Sequence, residues 1–202
     1  MAKRFFDFLF SSLGLLFLSP LFLLLALLIV CDSPGPVFFR QERVGLRGRL
    51  FRIHKFRTMT TDAERCGLQI TVGRDPRVTR IGHLLRRYKL DELPQLLDVW
   101  CGQMSLVGPR PEVPRYVACY PDGVRDLVLS VRPGITDRAS IDFKNESMIL
   151  GRAVDPHQAY LDEILPVKLA YYVDYVRTRT LFGDVWLILR TIAALVPVFR
   201  QS

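Results

Sequence analysis

The sequence holds few of the residues that build metal centres or disulfide frameworks. Among its 202 residues there are 3 histidines and 4 cysteines. The cysteines are Cys31, Cys66, Cys101 and Cys119. They form no C-x-x-C pair and have no histidine close by in the chain, whereas zinc sites and disulfide-stapled domains need closely spaced ligands. The pattern therefore indicates neither a zinc centre nor a disulfide scaffold, and reduced thiols in a cytosolic domain are expected.

Internal repeats are absent, and negative charge is scarce in one block of the chain. A chain of this length without repeats predicts one domain. Residues 32–91 hold 14 Lys/Arg and 6 Asp/Glu, while the rest of the chain holds 14 of each. Such a block suits nucleic acid, an anionic membrane surface or phosphorylated substrates. No recognised DNA- or RNA-binding module accompanies it, so nucleic acid is not expected as a partner.

Charged residues are also missing from Phe8 to Cys31, a run of 24 residues rich in Leu and Phe. A helix needs about 20 apolar residues to cross a bilayer, so this run predicts a membrane segment. It is too long for the apolar part of a signal peptide, and no small-x-small cleavage site precedes the polar residues 32–35. The segment is therefore expected to stay attached.

The flanks of this run leave two interpretations of its path. Basic residues lie on both sides, namely Lys3 and Arg4 before it and Arg40, Arg43, Arg47, Arg49 and Arg52 after it. Because Lys and Arg favour the cytoplasmic side, both ends are predicted to lie there. Pro20, after Ser19, removes a backbone hydrogen bond near the middle. The run is then either a re-entrant hairpin of two helical arms or a spanning helix with a mild kink.

The basic block begins with a predicted β-hairpin. Val37 to Val44 and Leu50 to Arg57 alternate apolar and polar residues and are joined by the turn sequence Gly-Leu-Arg-Gly at 45–48. Lys55 and Arg57, at the far end, could lie against lipid headgroups or reach inward to a phosphate. A polar loop is predicted over residues 60–74, and Asp75-Pro76 is predicted to open the next helix.

The most informative stretch places two adjacent carboxylates, Asp91 and Glu92, directly after a cationic segment. Helical spacing of apolar residues occurs on both sides of this pair. The residues that show it are Ile81, Leu84, Leu85 and Tyr88 upstream, and Leu93, Leu96, Leu97 and Trp100 downstream. Asp91 is then predicted to start the second helix, with Pro94 in its first turn and an anion site at the helix end. The alternative is that Asp91 merely caps that helix and Glu92 occupies its first turn.

The C-terminal part predicts two further helices. Residues 156–180 are amphipathic, which fits either an interfacial helix or a core helix. Residues 181–199 are more apolar but are interrupted by Asp184, Arg190 and Pro197. They fit a helix that lies in the membrane interface better than a second span.

These motifs together resemble the bacterial monotopic phosphoglycosyl transferases, also called bacterial sugar transferases. The longest are Lys55–Met59 (KFRTM), Leu90–Gln95 (LDELPQ) and Met104–Glu112 (MSLVGPRPE). Shorter ones are Lys3-Arg4-x-x-Asp7, Ser19-Pro20, Gly35–Gln41, Arg43–Gly45, Asp75–Gly82 and Arg132–Thr136. The resemblance covers nearly the whole chain in the order of the family, and its length matches the small form without extra N-terminal transmembrane helices.

The resemblance implies a monotopic α+β fold. Ser19-Pro20 would break a re-entrant membrane helix within residues 1–33, and residues 34–202 would form one catalytic domain with interfacial helices and a small β-hairpin. The implied location is the cytoplasmic face of the bacterial inner membrane, in contact with its lipids.

The resemblance also implies an activity, which is the transfer of a phosphosugar from a UDP-sugar to polyprenyl phosphate, with undecaprenyl phosphate as the expected acceptor. The products would be a polyprenyl-diphosphate sugar and UMP, at the first membrane step of glycan assembly, and downstream glycosyltransferases could be partners. Asp91 would be the nucleophile, and Asp91 and Glu92 would hold Mg²⁺. Substrate-binding positions implied or suggested alongside them are Lys55, Arg80, Arg86, Arg110 and Glu112.

One departure and several rival functions remain open at this point. Many small members have Pro where this chain has Arg138, and its effect on sugar choice is open. One rival is a membrane-tethered binding module that uses the basic block to grip anionic lipid, and another is a hydrolase of the lipid diphosphate. A glycoside hydrolase fits less well, because its carboxylates stand about 5 to 10 Å apart across a sugar ring. Neighbouring residues at a helix start point in different directions.

Overall fold

The structure, a computed structural model, describes residues 1–61, 75–143, 149–151 and 153–200, with side chains up to residue 194. Its strands are β1 (Phe38–Val44), β2 (Leu50–Phe56), β3 (Ser105–Val107) and β4 (Gly134–Thr136). Its helices are α1 (Ala2–Asp32), α2 (Arg80–Arg87), α3 (Gln95–Trp100), α4 (Pro114–Val117), α5 (Val124–Val128), α6 (Arg138–Asp142), α7 (Pro156–Ala159), α8 (Leu165–Thr178) and α9 (Leu181–Arg200). The predicted α+β class is confirmed. Most of the predicted 60–74 loop lies outside the described residues.

The predicted β-hairpin is confirmed almost to its ends. Strands β1 and β2 pair antiparallel, from Phe38 opposite Phe56 to Val44 opposite Leu50. A short 3₁₀ helix, Leu46–Gly48, joins them, and its central residue Arg47 has a left-handed backbone with φ 55°. The hairpin places Ile53 in a buried cluster with Val99 and Met104, so β2 is packed against α3.

The second sheet is a parallel pair that brings two loops to one edge. In β3 and β4, Ser105 lies opposite Gly134 and Val107 lies opposite Thr136. The chains approach so closely that a Cβ on Gly134 would lie 2.1 Å from the backbone nitrogen of Gly108. Only glycine fits there. Because parallel strands end at the same edge, the loops that follow β3 and β4 lie side by side.

Helix α1 is fixed to the rest of the fold near both of its ends. Near its start, Arg4 donates hydrogen bonds to the carbonyl oxygens of Val99, at 2.5 Å, and Trp100, at 2.7 Å, in the last turn of α3. At its end, the buried Arg57 guanidinium donates to the carbonyl oxygens of Ser33, at 2.6 Å, and Pro34, at 2.7 Å. Arg57 therefore holds the helix end, and its guanidinium is bound to backbone carbonyls.

In the middle of α1, large apolar side chains such as Leu16 and Phe17 are exposed, although Gly14 lies against Leu96 of α3 and Phe22 packs on Phe56 of β2. Among the described residues, α1 is the helix that is long and apolar enough to cross a membrane, judged by length and composition. Helical structure continues through Ser19 and Pro20, so the two expected arms are one continuous helix. The path of this helix through a membrane stays a prediction.

The start of α2 corrects the prediction that Asp75-Pro76 opens a helix. The helix begins at Arg80 and is capped by Thr79, whose Oγ1 accepts a hydrogen bond from the Gly82 backbone at 3.0 Å. Residues 77–79 are kept out of the helix because they pair with residues 58–60, including a bridge between Met59 and Val78. The Asp75 carboxylate is bound by Arg77 instead.

The buried faces of α2 and α3 also differ from the predicted ones. On α2, Leu85 is fully buried but Leu84 is exposed. On α3 the buried residues are Gln95, Asp98 and Val99, while Trp100 is exposed and stacks on Phe8 of α1. Asp98 tolerates burial because its carboxylate accepts two hydrogen bonds from His54 of β2, from the backbone at 2.8 Å and from Nδ1 at 2.7 Å. The apolar residues that were predicted to be the buried face of α3 thus face α1 and the surface.

The C-terminal helices settle the choice left open for residues 156–180. This segment forms α7, a π-helix at Tyr160–Ile164 and α8, and it lines the main core of the protein. Its buried core residues are Tyr160, Ile164, Leu165, Leu169 and Tyr172. Helix α9 differs, because it leaves large apolar side chains such as Phe182 and Leu189 exposed.

Candidate functional site

The carboxylate pair lies in a tight turn between α2 and α3. After α2, Lys89 adopts a left-handed backbone conformation, and the 3₁₀ helix Leu90–Glu92 follows. Helix α3 starts only at Gln95, so the prediction that Asp91 opens the second helix is wrong. The turn is held by i to i+3 bonds such as Leu93 N–H to Leu90 C=O at 3.2 Å, because Pro94 has no N–H to donate.

Glu92 is held by two cations from different parts of the fold. Lys55 of β2 donates to its Oε1 at 2.8 Å, and the Arg110 guanidinium donates to Oε2 at 2.9 Å and also to Oε1. Burial alone would raise the pKa of Glu92, but the charges and hydrogen bonds of Arg110 and Lys55 outweigh it and lower the pKa well below the ordinary range. Glu92 is therefore a fixed carboxylate.

Asp91 has the opposite environment although it is the next residue. It is buried, and in the part of the chain that the structure describes no side chain or backbone group donates a hydrogen bond to its carboxylate. Burial, reinforced by the negative charge of Glu92, raises the pKa of Asp91, against the opposing charges of Lys55, Lys89 and Arg86. Among the described residues, Asp91 is thus a carboxylate without a hydrogen-bond partner beside one that is held by two cations.

Arg110 is positioned by its backbone as well as by Glu92. It lies between Pro109 and Pro111, which fix two φ angles, and its N–H donates to Asp137 Oδ2 at 3.2 Å. Glu92 raises the pKa of Arg110 and keeps it charged. Burial raises the pKa of Asp137, partly opposed by hydrogen bonds from Ser140. Sequence reasoning missed Asp137; the signal was its place directly after the RPGIT motif.

Glu112, two residues after Arg110, contacts the C-terminal core instead of Glu92. It is buried, and its Oε1 accepts a hydrogen bond from Tyr160 at 2.6 Å. Its cationic neighbours are Arg43 at 3.7 Å and Lys168 at 3.9 Å. Arg43, which sequence reasoning did not assign to the site, also donates to the Pro111 carbonyl at 3.1 Å. These contacts hold the Pro109–Glu112 segment in place.

The two remaining predicted cations lie on α2 and differ in their surroundings. Arg86 is partly buried, and its Nε donates to Thr58 Oγ1 at 2.8 Å. Burial lowers the pKa of Arg86, and the negative charges of Asp91 and Asp75 oppose that effect. Arg80 is exposed at the first residue of α2 and makes no hydrogen bond or ion pair to any residue that the structure describes.

The donor set at the turn fits Mg²⁺ in its usual protein chemistry, in which one or two carboxylates bind the ion together with substrate phosphates. An ionised carboxylate has about four lone-pair sites, and the three hydrogen bonds to Glu92 leave one of them on Oε2. Both Asp91 oxygens are available. Within the described ranges no group of three or more His, Cys, Asp or Glu side chains forms an all-protein metal cage.

Asp91→Asn and Glu92→Gln should change stability in opposite directions near neutral pH. Because the pKa of Asp91 is raised, stability is lost as the pH rises from the ordinary pKa of an aspartate through the raised value, and an amide carries no such cost. The lowered pKa of Glu92 means that its charge contributes stability, which is lost as the pH falls through that pKa. Glu92→Gln should cost roughly 1 to 3 kcal/mol, less than a fully buried pair, because 28% of the Arg110 side chain is exposed.

The measurement is the thermal midpoint of each full-length variant in the same non-ionic detergent. In acidic buffer, where Asp91 of the wild type is protonated, the advantage of Asp91→Asn should disappear. A destabilised Asp91→Asn or an unchanged Glu92→Gln near neutral pH would contradict this division between the two carboxylates.

Comparison with known proteins gives consistent matches over the chain. A family model for bacterial sugar transferases matches residues 1–197. The chain is 36% identical over 199 residues to a UDP-N-acetylgalactosamine-undecaprenyl-phosphate N-acetylgalactosaminephosphotransferase of Aeromonas hydrophila, covering 98% of this chain and 44% of the relative. It is 36% identical over 205 residues to a UDP-glucose:undecaprenyl-phosphate glucose-1-phosphate transferase of Caulobacter vibrioides, covering 96% of this chain and 69% of the relative.

A third relative, an undecaprenyl-phosphate glucose phosphotransferase of Komagataeibacter xylinus, is 39% identical over 196 residues, which cover 94% of this chain and 35% of the relative. The chain therefore spans less than half the length of two of these three relatives. The family match takes in α1, the hairpin and the turn that carries Asp91 and Glu92. The chain thus belongs to the bacterial sugar transferase family.

Proposed function

We propose that the protein is a phosphoglycosyl transferase that moves a sugar phosphate from a UDP-sugar to polyprenyl phosphate. The observation that carries the proposal is the unequal carboxylate pair. Glu92 is bound by Lys55 and Arg110, while the buried Asp91 accepts no hydrogen bond from any residue that the structure describes. Family membership and the names of the relatives, which act on undecaprenyl phosphate, support polyprenyl phosphate as the acceptor and UDP-sugars as donors.

In the first step, we propose that an Asp91 carboxylate oxygen attacks the β-phosphorus of the UDP-sugar. The bond from that phosphorus to the bridging oxygen breaks, and UMP leaves with the oxygen and the electron pair. Asp91 suits this role because burial strips water from its carboxylate and no protein group in the described ranges blocks it. The raised pKa also means that this nucleophile is lost on acidification sooner than an ordinary Asp.

In the second step, an oxygen of the lipid phosphate attacks the same phosphorus, and the bond between phosphorus and the Asp91 oxygen breaks. The products are the polyprenyl-diphosphate sugar and the regenerated Asp91 carboxylate. Arg110 and Arg86 would hold phosphate oxygens or the nucleotide during both steps, because guanidinium groups bind phosphate in a bidentate manner. Lys55, whose ammonium group donates to Glu92, would also help to hold the phosphate oxygens.

We propose that Asp91 and the open lone pair of Glu92 hold a Mg²⁺ ion. When bound, the ion neutralises the diphosphate so that a carboxylate can approach it. Arg80, which is exposed and forms no ion pair with any described residue, would act only as a further cation near the substrate. Glu112 would contribute by positioning Arg110 through Arg43 and the Pro111 carbonyl.

The test is UMP release by the full-length chain in non-ionic detergent with undecaprenyl phosphate and a panel that includes UDP-N-acetylgalactosamine and UDP-glucose. We expect turnover with at least one donor and none with Asp91→Asn. Arg110→Lys should lower kcat/KM by about 10-fold or more although the charge is unchanged. The reason is that lysine cannot bind a phosphate group bidentately. The matched control is Arg125→Lys, an exposed arginine on α5 whose ion pairs are only to Asp122 and Asp126 among described residues.

The same assay separates the rival functions. A membrane-tethered binding module would bind anionic vesicles and release no UMP, and a lipid diphosphate hydrolase would release inorganic phosphate instead. Either result with every donor would contradict the proposed transfer.

We further propose that α1 enters and leaves the membrane on one side, at the cytoplasmic face of the bacterial inner membrane. Arg4 and Arg57 fix the two ends of α1 to the same folded unit, and the exposed apolar middle lies between them. The exposed apolar side of α9 and Trp100 would rest in the interface, where amphipathic aromatic residues are favoured. This placement puts the site next to the lipid acceptor, at the first membrane step of a glycan pathway with downstream glycosyltransferases.

Labelling of single cysteines tests this topology. In a cysteine-free background, Ala2→Cys and Arg49→Cys, both at exposed positions, should be protected from an impermeant reagent in intact cells and labelled after lysis. Pro20→Leu should convert some molecules to a spanning form, because leucine restores the missing backbone hydrogen bond. In the single-cysteine variants that keep Pro20, labelling of only one of the two sites from outside would contradict the re-entrant path.

A further inference from the structure

Lys89 has a backbone conformation that its side chain disfavours. Its φ of 57° and ψ of 23° lie in the left-handed region, where glycine and asparagine are favoured over residues such as lysine. In the described part of the chain, Arg47 is the one other non-glycine residue with positive φ. Backbone strain of this kind is concentrated at functional sites. A lysine retained at such a position suggests a use for its side chain.

Lys89 lies two residues before Asp91, and among the described cations near this turn its side chain differs from Lys55 and Arg86 in its lack of a protein partner. Lys55 is bound to Glu92 at 2.8 Å, and Arg86 donates to Thr58 Oγ1 at 2.8 Å. Lys89 is exposed, and no residue that the structure describes accepts a hydrogen bond or forms an ion pair with its side chain.

The position of Lys89 couples it to the proposed nucleophile. It is the N-cap of the 3₁₀ helix that holds Asp91, and its carbonyl accepts a hydrogen bond from the Glu92 N–H at 3.5 Å. Burial and Glu92 raise the pKa of Asp91, and the charge of Lys89 is one of those that oppose them. Because Lys89 lies two residues before Asp91 in the same turn, its charge would attract a phosphate that approaches Asp91.

We infer that Lys89 is a substrate-binding residue that donates to a phosphate group arriving at Asp91. This inference rests on the proposed function. Two phosphates of the same chemistry arrive there, the diphosphate of the sugar nucleotide and the phosphate of the lipid. A glycine or asparagine at residue 89 would suit the backbone better but would leave the phosphate without this cation, so the strained lysine is explained by its charge.

The test compares Lys89→Asn and Lys89→Arg with the matched control Arg47→Asn. Arg47 is also exposed, cationic and left-handed, but it lies in the hairpin turn and outside the proposed site. Two rates are measured on the full-length chain in non-ionic detergent, which removes attraction to anionic lipid. One is the UMP burst with UDP-glucose or UDP-N-acetylgalactosamine alone, and the other is transfer to undecaprenyl phosphate.

We expect Lys89→Asn to slow one or both rates by about 10- to 100-fold, the scale of a lost hydrogen bond to a charged group. A defect in the burst identifies the nucleotide-sugar diphosphate as the bound phosphate, and a defect confined to transfer identifies the lipid phosphate. Lys89→Arg should stay within a few-fold of wild type. Both Asn variants should have thermal midpoints no lower than wild type, because asparagine tolerates the left-handed conformation.

Wild-type rates for Lys89→Asn in both arms would overturn the inference. Equal losses in Lys89→Asn and Arg47→Asn would also overturn it, because the effect would then come from general surface charge. Equal losses in Lys89→Asn and Lys89→Arg would overturn it as well, because the effect would then come from side-chain shape. A lower thermal midpoint for Lys89→Asn would contradict the strain argument. Absence of UMP release by the wild type with every donor would contradict the proposed function itself.

Discussion

The ion pairs of Glu92 with Lys55 and Arg110 are the interactions on which the site depends. Two adjacent carboxylates in a buried turn repel each other, and burial penalises both charges. Because both cations bind Glu92, the fold stabilises one charge and leaves its neighbour Asp91 with a raised pKa and with no hydrogen-bond partner in the described part of the chain. The same sequence pair thereby yields one positioned carboxylate and one available carboxylate.

This arrangement requires three distant segments to meet. Lys55 comes from β2, which is registered on α3 by the contacts of His54 with Asp98. Arg110 comes from the loop after β3, and it is held by Asp137, which follows the parallel strand β4. The close approach of Gly108 and Gly134 allows those two loops to lie together. The packing of the sheets therefore sets the electrostatics of the turn, while the anchored ends of α1 join this unit to the proposed membrane segment.

Much of this arrangement could be predicted from local patterns. Alternation of apolar and polar residues around the Gly-Leu-Arg-Gly turn predicted the hairpin, and the adjacent acids after a cationic segment indicated the site. Motif resemblance added Lys55 and Arg110, which the structure brings together on Glu92. Their roles toward substrate, like those of Arg80, Arg86 and Glu112, remain predictions.

The errors have a common physical origin in contacts between distant segments. The start of α2 was misplaced because the pairing of Met59 with Val78 is not visible in local sequence. The buried face of α3 was misplaced because Asp98 is satisfied by His54, which lies 44 positions away in the chain. Asp137 was missed for the same reason, since its partner is a backbone N–H of another loop. Periodicity describes one element at a time, whereas burial of a polar group depends on the partner that another element provides.

The central claim is that Asp91 forms a covalent bond to the phosphosugar. The most direct measurement is the intact mass of the full-length protein, quenched after mixing with a turned-over UDP-sugar in the absence of lipid, followed by peptide mapping. The account predicts a mass increase of one phosphosugar per chain on the peptide that contains Asp91, and its disappearance when undecaprenyl phosphate is added. An unmodified protein under conditions that support full transfer, or an Asp91→Asn variant that still turns over, would contradict it.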